Sequence, residues 1–421
     1  MISQWRLFLK ELFEQLWFVA VLYAALAVFT NFAAILTGPL LPDGLGASLG
    51  ADATESVLTI LASSMLSVVT FSLAVMVQAF VGAAAAVTPR VISLLKTDRT
   101  TQRVLATFLG SFVYSLIGII ALNTGVLTQN DRLVLFAVTI VVVVIVVIAI
   151  LRWIAHLTIF GLMTDSIEKV ERAAKIALDE RIADPYLGGH GHSGPPPPGA
   201  HPIRHPDIGY IRYVHMESLQ DLAEDLKCQI YLAALPGAFV HPGVPIAYVV
   251  GNMPQDTSAI TEAFRIGDTR SFEQDPRFGL SVLTEIAERA LSPAINDPGT
   301  AIDILGRAVR LFASLTDPDE AQLLFPNIWV PALNLADMME DVFPPIARDG
   351  AAIYSVQMRL QKSLLALAQI APTLFCALAQ IHSNMALSRC QSRLLPSELN
   401  ALQAIADKIK DHDTVTRARP I

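Results

Sequence analysis

The sequence predicts an α-helical membrane domain with four transmembrane helices, followed by a cytoplasmic α+β domain and joined to it by a long stalk helix. Three observations predict this fold class. Charged residues make up only 16% of the chain, against about 25% in soluble proteins, and mean hydropathy is +0.50. Residues 1–160 contain 8 Lys/Arg and 7 Asp/Glu, whereas residues 161–421 contain 22 and 31. Four apolar segments in the first part are long enough to cross about 30 Å of hydrocarbon.

The predicted spans run from Leu16 to Leu36, Val57 to Val81, Val104 to Leu122 and Leu133 to Leu151. Lys and Arg concentrate before span one, between spans two and three and after span four, whereas the other two loops are poor in them. Because loops rich in Lys and Arg stay cytoplasmic, we expect a multi-pass protein with both termini in the cytoplasm. The acidic second part excludes nucleic acid as a partner, since binding it needs basic patches.

Span two carries a face of small and hydroxyl side chains. At 100° per residue these side chains fall within about an 80° arc, with the last of them at its edge. We call this set the hydroxyl face: Ser56, Thr59, Ser63, Ser67, Thr70, Ala74 and Gln78. This face fits a close seam between two helices. It also fits the water-facing wall of a pore, in which oligomer symmetry would align equivalent side chains from several copies into rings. No span has a charged residue near its centre, which disfavours an ion-coupled transporter.

The segment after span four predicts a stalk and then a linker. Helical spacing continues to about residue 182, so we expect one unbroken helix whose cytoplasmic stalk covers residues 153–187, after a membrane domain of residues 1–152. Residues 188–206 contain four consecutive prolines and predict a mobile or solvated linker before the α+β domain of residues 207–421. Its histidines leave metal binding as an alternative, although no metal ligand is assigned: His190, His192, His201 and His205.

The α+β domain begins with a β-α-β-β pattern. GYIRYV from Gly209 alternates like a strand, and MESLQDLAEDLKC from Met216 has helical spacing. QIYLAAL and VPIAYVV then read as strands on either side of the turn PGAFVHPG, which predicts one small mixed sheet. The turn contains no lysine to which a prosthetic group could be attached, so we expect it to be a structural hairpin. A short helix within residues 252–264, a strand at 264–266 and mostly helices from residue 275 complete the prediction.

The run FGLSVLTEIAERALSPAINDPGTA, Phe278–Ala301, predicts two helices around a sharp corner. An apolar stripe marks the first helix, a Ser-Pro pair ends it, and an Asp-Pro pair supplies the N-cap and first residue of the next. The corner fits either tight helix packing or a subunit or ligand contact. No nucleophile–base pair is visible, so no catalytic residue, enzyme activity or cofactor is predicted. The candidate residues are Phe278, Glu285, Arg289, Ser292, Pro293, Asn296, Asp297 and Pro298.

Several stretches resemble a bacterial family of predicted membrane proteins, the domain of unknown function numbered twenty-two fifty-four. They are VVTFSLAVMVQA from Val68 with the following TPRV, RVLATFLGSFVYSL from Arg103, GYIRYV, GAFVHPGVP and GDTRSFEQDPRFGLSVLTEIAERALSPAINDPGTA from Gly267. The resemblance covers nearly the whole chain. The His/Pro-rich linker is where this sequence departs from the family pattern. It implies a four-span protein of the bacterial inner (plasma) membrane with a cytoplasmic domain, but no substrate, catalytic residue or cofactor.

We therefore expect a homo-oligomeric, channel-like or pore-forming protein in the lipid bilayer. Span two would line the conduit, and the cytoplasmic domain would form a vestibule or gate. The alternative is a membrane scaffold or signalling protein whose cytoplasmic domain binds a partner or small ligand. A membrane-embedded enzyme ranks third, because the membrane interior lacks His, Asp and Glu.

Overall fold

The computed structural model describes residues 16–40, 53–253, 256–316 and 322–418. Internal contacts divide the chain into two units, Met1–Ser166 and Ile167–Ile421. The first unit is helical, and the second combines two sheets with a bundle of helices. This agrees with the predicted division into a helical membrane part and an α+β part.

The first unit contains the four predicted membrane spans. Among the described residues, four helices are long and apolar enough to cross a membrane, and they extend a few residues beyond most of the predicted bounds. The helices are α1 (Leu16–Thr37), α2 (Thr54–Ala86), the short α3 (Val91–Lys96), α4 (Arg99–Asn123) and α5 (Gln129–Leu157). A short 3-10 turn, Gly38–Leu40, follows α1. Helix α2, with 33 residues, is about 50 Å long and exceeds the hydrocarbon thickness.

Helix α4 is the centre of the first unit, since α1, α2 and α5 all pack against it. A Cβ added at Gly110 of α4 would lie only 2.5 Å from the ring of Tyr23, so glycine permits the close approach of α1. Tyr114 is fully buried, and its hydroxyl lies 3.2 Å from Thr139 Oγ1 on α5. The apolar core of the unit thus includes a polar contact between α4 and α5.

The predicted unbroken stalk helix is wrong. Helix α5 ends at Leu157, residues 158–162 form turns, and α6 (Met163–Ala183) then begins. Gly161 has φ +78°, which other residues rarely adopt, and this left-handed residue stops the helical path. The break was missed because no proline marks it and the apolar spacing continues through it.

The second unit starts with α6 from Ile167 onward and continues through eight strands and eight helices in the described ranges. The strands are β1 (His190–His192), β2 (His201–Ile203), β3 (Gly209–Val214), β4 (Cys228–Leu232), β5 (Phe239–Val240), β6 (Ala247–Gly251), β7 (Phe264–Gly267) and β8 (Ile328–Pro331). The helices are α7 (Met216–Leu226), α8 (Ser258–Glu262), α9 (Pro276–Leu291), α10 (Pro298–Ala313), α11 (Leu335–Asp349), α12 (Tyr354–Ile370), α13 (Pro372–Cys390) and α14 (Pro396–Ala418). A 3-10 turn, Ser314–Thr316, follows α10.

The predicted β-α-β-β elements are present, but they belong to two sheets. One sheet has the order β1-β8-β4-β6-β2, in which β8 pairs in parallel with both β1 and β4. The other is antiparallel, with the order β5-β3-β7. The prediction of one small sheet is therefore wrong: β3 pairs with β5 and β7, whereas β4 and β6 pair with each other.

The predicted linker is wrong too, because residues 188–206 contribute β1 and β2, the two edge strands of the larger sheet. His190 stacks on Trp329 with ring centroids 4.9 Å apart, and His205 is 7% exposed. Strands of three residues paired with distant partners leave no periodic pattern, so composition alone suggested a solvated segment.

Helices α9 to α14 form the second core of this unit. Helix α9 packs against α10 and α11, and α12 and α13 continue the bundle towards α14. Helix α6 also packs here, because a Cβ at Gly279 of α9 would lie 2.3 Å from Ala174 Cβ. Glu171 of α6 pairs with Arg307 and Arg310 of α10. From Ile167 onward, the segment predicted as a stalk is thus a packed element of the second unit.

Candidate functional sites

The hydroxyl face of α2 points away from the helices of its own unit. All seven of its residues are exposed. The buried residues of α2, among them Leu58, Leu61, Met65 and Ser72, lie on the opposite side and face α4 and α5. With 100° per residue, the centres of the two faces are about 170° apart. The face is therefore not a seam between described helices of one chain.

Hydroxyl hydrogens of this face are used within α2 itself. Ser67 Oγ donates to Ser63 O at 3.1 Å, Thr70 Oγ1 donates to Leu66 O at 3.0 Å, and Ser63 Oγ donates to Thr59 O at 3.0 Å. Each hydroxyl oxygen keeps acceptor capacity for a partner outside the helix. The surface is thus uncharged, weakly polar and rich in acceptors.

A polar clamp joins the start of α4 to the end of α5. His156 Nε2 lies 3.2 Å from Asp98 Oδ1 and 3.1 Å from Thr101 Oγ1, while Asp98 caps α4 by accepting the Thr101 N–H. Burial alone would raise the pKa of Asp98, but the hydrogen bonds from His156 and Thr101 hold that pKa well below its usual range. His156 thus connects the end of α5 with the start of α4.

The corner between α9 and α10 has the predicted geometry. Helix α9 ends at Leu291 with Ser292 as its C-cap, and Asp297 caps α10 with Pro298 in the first turn. Asp297 Oδ1 accepts the Thr300 N–H at 3.2 Å, and Oδ2 accepts the Thr300 hydroxyl at 2.6 Å. Asn296 has φ +51°, a left-handed conformation that Asn tolerates better than most residues. The four residues 293–296 are exposed, so the corner lies open on the surface.

The other candidate residues of this run lie inside the bundle or at its edge. Phe278 is buried and contacts the Phe272 ring, with centroids 4.6 Å apart. Glu285 and Arg289 are half-buried, and Arg289 Nε has no hydrogen-bond partner among the described residues. The predicted apolar stripe is buried as expected. Val282 and Thr284, which lie outside the stripe, are buried as well. Other parts of the protein therefore cover α9 on more than one face.

Sequence reasoning missed an ionic cluster at the start of α9. Arg270 pairs with Asp275, the N-cap of α9, through contacts of 2.7 and 2.9 Å. Arg277 reaches Asp341 at 2.8 and 3.0 Å and Asp337 at 3.0 Å, which ties α9 to α11. The available signal was the charged stretch GDTRSFEQDPR, which directly precedes the helix and forms part of the family-like motif.

The histidines of the predicted linker do not converge. His190 and His192 lie on β1 and His201 lies on β2, at opposite edges of a five-stranded sheet. Strand spacing puts those edges about 19 Å apart, too far to share one ion. Across the described ranges, no group of three or more His, Cys, Asp or Glu side chains is arranged to hold a metal ion.

Comparison with known proteins places this architecture in a family. Residues 14–366 match the family described as predicted membrane protein (DUF2254), in agreement with the resemblance of the motifs. The uncharacterized proteins Mb1321c of Mycobacterium bovis and Rv1290c of Mycobacterium tuberculosis are each 31% identical to the chain over 190 residues. These matches cover 41% of this chain and 36% of each relative, so the chain spans little more than a third of the curated relatives it matches. No solved structure matches. Because the family match covers most of its length, the chain belongs to the predicted membrane protein family DUF2254.

Proposed function

We propose that this protein is a homo-oligomeric, channel-like protein of the bacterial inner membrane, in which the hydroxyl face of α2 lines the conduit. The exposure of that face, opposite the packed side of α2, is the single observation that carries the proposal. The Lys and Arg distribution supports cytoplasmic termini, with the second unit in the cytoplasm as a vestibule or gate.

A hydroxyl face gains little from contact with lipid. Lipid tails offer no hydrogen bonds, so the acceptor oxygens of Ser63, Ser67 and Thr70 are better placed against water or a second copy. Around a symmetry axis, equivalent residues from several copies form rings. We therefore expect successive rings of hydroxyls along α2.

The chemistry of these rings favours passive conduction. The face carries no charged side chain, and its hydroxyl hydrogens bond within the helix. Such a wall offers weak and repeated polar contacts, which allow a permeating species to enter and to leave. Coupled transport would need a titratable or ion-binding group at membrane depth, which the face does not provide.

A membrane scaffold or signalling protein is the second candidate. The exposed corner at residues 293–296 favours it, because Ile295 is 43% exposed at the tip of two rigid helices. In this case the hydroxyl face would form a seam between copies, and the corner would contact a partner.

Single-channel recording of the purified chain in planar bilayers separates the two candidates. We expect reproducible unitary current that Ser67→Trp blocks. The matched control is Leu73→Trp, whose site is also exposed but lies about 120° around α2 from Ser67, and its current should be unchanged. Native mass spectrometry of each variant reports assembly. Absence of current from intact oligomers under varied voltage, tension and pH would contradict the channel and favour the scaffold.

A further inference from the structure

Arg181, near the end of α6, has a buried guanidinium that forms no ion pair with any residue the structure describes. Its side chain lies in the second unit and is only 6% exposed. Nη1 donates one long bond of 3.5 Å to Pro185 O, and Nη2 has no hydrogen-bond partner in the part of the chain that the structure describes. Arg is almost never buried this far unless it is paired, so the free nitrogen requires an explanation.

The nearest carboxylates are already engaged. Asp275 accepts four hydrogen bonds, two from the Arg270 guanidinium and one each from the N–H groups of Arg277 and Phe278. Asp184 accepts the N–H of Gly188. Both influence Arg181 at longer range, yet burial still lowers the pKa of Arg181 to about 10. Within the described residues, the acidic groups thus leave the Arg181 charge incompletely satisfied.

Arg181 lines two neighbouring cavities of different character. One, of about 240 Å³, is the more polar of the two and is also lined by Arg270, Arg277, Asp275 and Asp337. The other, of about 220 Å³, is mainly apolar and is lined by residues that include Tyr186, Leu315, Met338 and Leu374. Ala332 and Leu333 border both cavities. A ligand placed here would meet a guanidinium at one end and apolar side chains at the other.

We propose that these cavities, together called the Arg181 site, bind a small organic monoanion whose carboxylate pairs with Arg181 and whose apolar body enters the second cavity. A carboxylate matches the planar fork of a guanidinium and would satisfy Nη2. Asp275 and Asp337 line the same cavity but each already pairs with an arginine, so among the described residues Arg181 supplies the one uncompensated positive charge there, which a single negative charge on the ligand would balance. This selects a monoanion over a phosphate dianion. The site does not depend on the proposed channel function.

Thermal unfolding of the purified full chain with benzoate as the probe tests the Arg181 site. We expect saturating benzoate to raise Tm by about 2–4 °C, whereas the neutral isostere benzyl alcohol and inorganic phosphate do not. Arg181→Leu should weaken the apparent Kd for benzoate by about tenfold or more and should not lower Tm without ligand, because it removes an unpaired buried charge. The control is Arg172→Leu on the same helix, where the arginine is 66% exposed, and it should respond like the wild type.

Three outcomes would overturn the proposal. No response of the wild type to benzoate would mean that water alone satisfies Arg181. An equal response of Arg181→Leu would locate benzoate binding elsewhere. A response to phosphate but not to benzoate would exclude the monoanion selectivity. If Arg181→Leu does not fold, Arg181→Lys replaces it: that variant keeps the charge but loses the planar fork, and it should bind benzoate more weakly than the wild type.

Discussion

Arg270 and Asp275 form a bidentate ion pair, with Nε 2.7 Å from Oδ2 and Nη2 2.9 Å from Oδ1. Asp275 is 1% exposed and also caps α9 through the N–H groups of Arg277 and Phe278. One carboxylate therefore fixes both the start of α9 and the segment that precedes this helix. Because the same carboxylate lines the cavity beside Arg181, its pairing with Arg270 also makes it less available to Arg181.

Asp275→Asn should destabilise the second unit. The amide keeps part of the cap but leaves the Arg270 guanidinium, which is 21% exposed, without its charge partner. We expect the free energy of unfolding to fall by about 2–4 kcal/mol, measured by denaturant unfolding followed by circular dichroism. The control Asp179→Asn breaks an exposed pair with Lys175 and should change it by less than about 0.5 kcal/mol. Equal effects of the two substitutions would contradict the structural role of Asp275.

Gly161→Ala should destabilise the first unit. The positive φ of Gly161 disfavours any side chain, and an added Cβ would lie 3.0 Å from Ala79 Cβ and 3.3 Å from Ala79 O. We expect a loss of about 1–2 kcal/mol, observed as a lower Tm in detergent. Gly82→Ala is the matched control, since Gly82 lies in helix α2 with nothing within 4 Å of an added Cβ, and it should raise Tm slightly. An unchanged Tm for Gly161→Ala would mean that the turn at residues 158–162 readjusts freely.

Local signals explain which elements could be predicted. The four spans follow from the length of apolar runs, and the corner follows from the Ser292-Pro293 and Asp297-Pro298 pairs, each of which acts on its own backbone. Strands β1 and β2 could not be found in this way, because they exist only through pairing with β8 and β6, far along the chain.

The same distinction between local signals and distant contacts applies to the candidate sites. The hydroxyl face could be recognised from one helical period, but its outward direction depends on which side of α2 packs on α4 and α5. The Arg181 site could not be predicted, since its lining comes from six separated stretches of sequence. Burial of one arginine among many became visible only in three dimensions.

The Asp98–His156 clamp should make stability depend on acidic pH. The folded pKa of Asp98 lies below its ordinary value of 3.8, so the stabilisation is fully present above that value and is lost as pH falls through the folded pKa. Asp98→Asn mimics the protonated carboxyl. We expect it to lower the Tm of the first unit at neutral pH, equivalent to about 1–2 kcal/mol, and the difference from wild type to shrink near pH 3. A difference that stays constant with pH would show that ionised Asp98 is not the stabilising species.

Substitutions at Asp297 separate a folding role of the corner from a contact role. Asp297→Ala removes both acceptors of Thr300 and should cost about 1 kcal/mol of unfolding free energy. Asp297→Asn can still cap α10 and should retain most of that stability, because Asn and Asp cap helices almost equally well. If the corner serves only folding, Asp297→Asn should behave like the wild type in the channel recordings and in cytoplasmic pull-downs. Loss of current or of a bound partner in a stable Asp297→Asn protein would instead show that the Asp297 carboxylate makes a contact beyond its own helix.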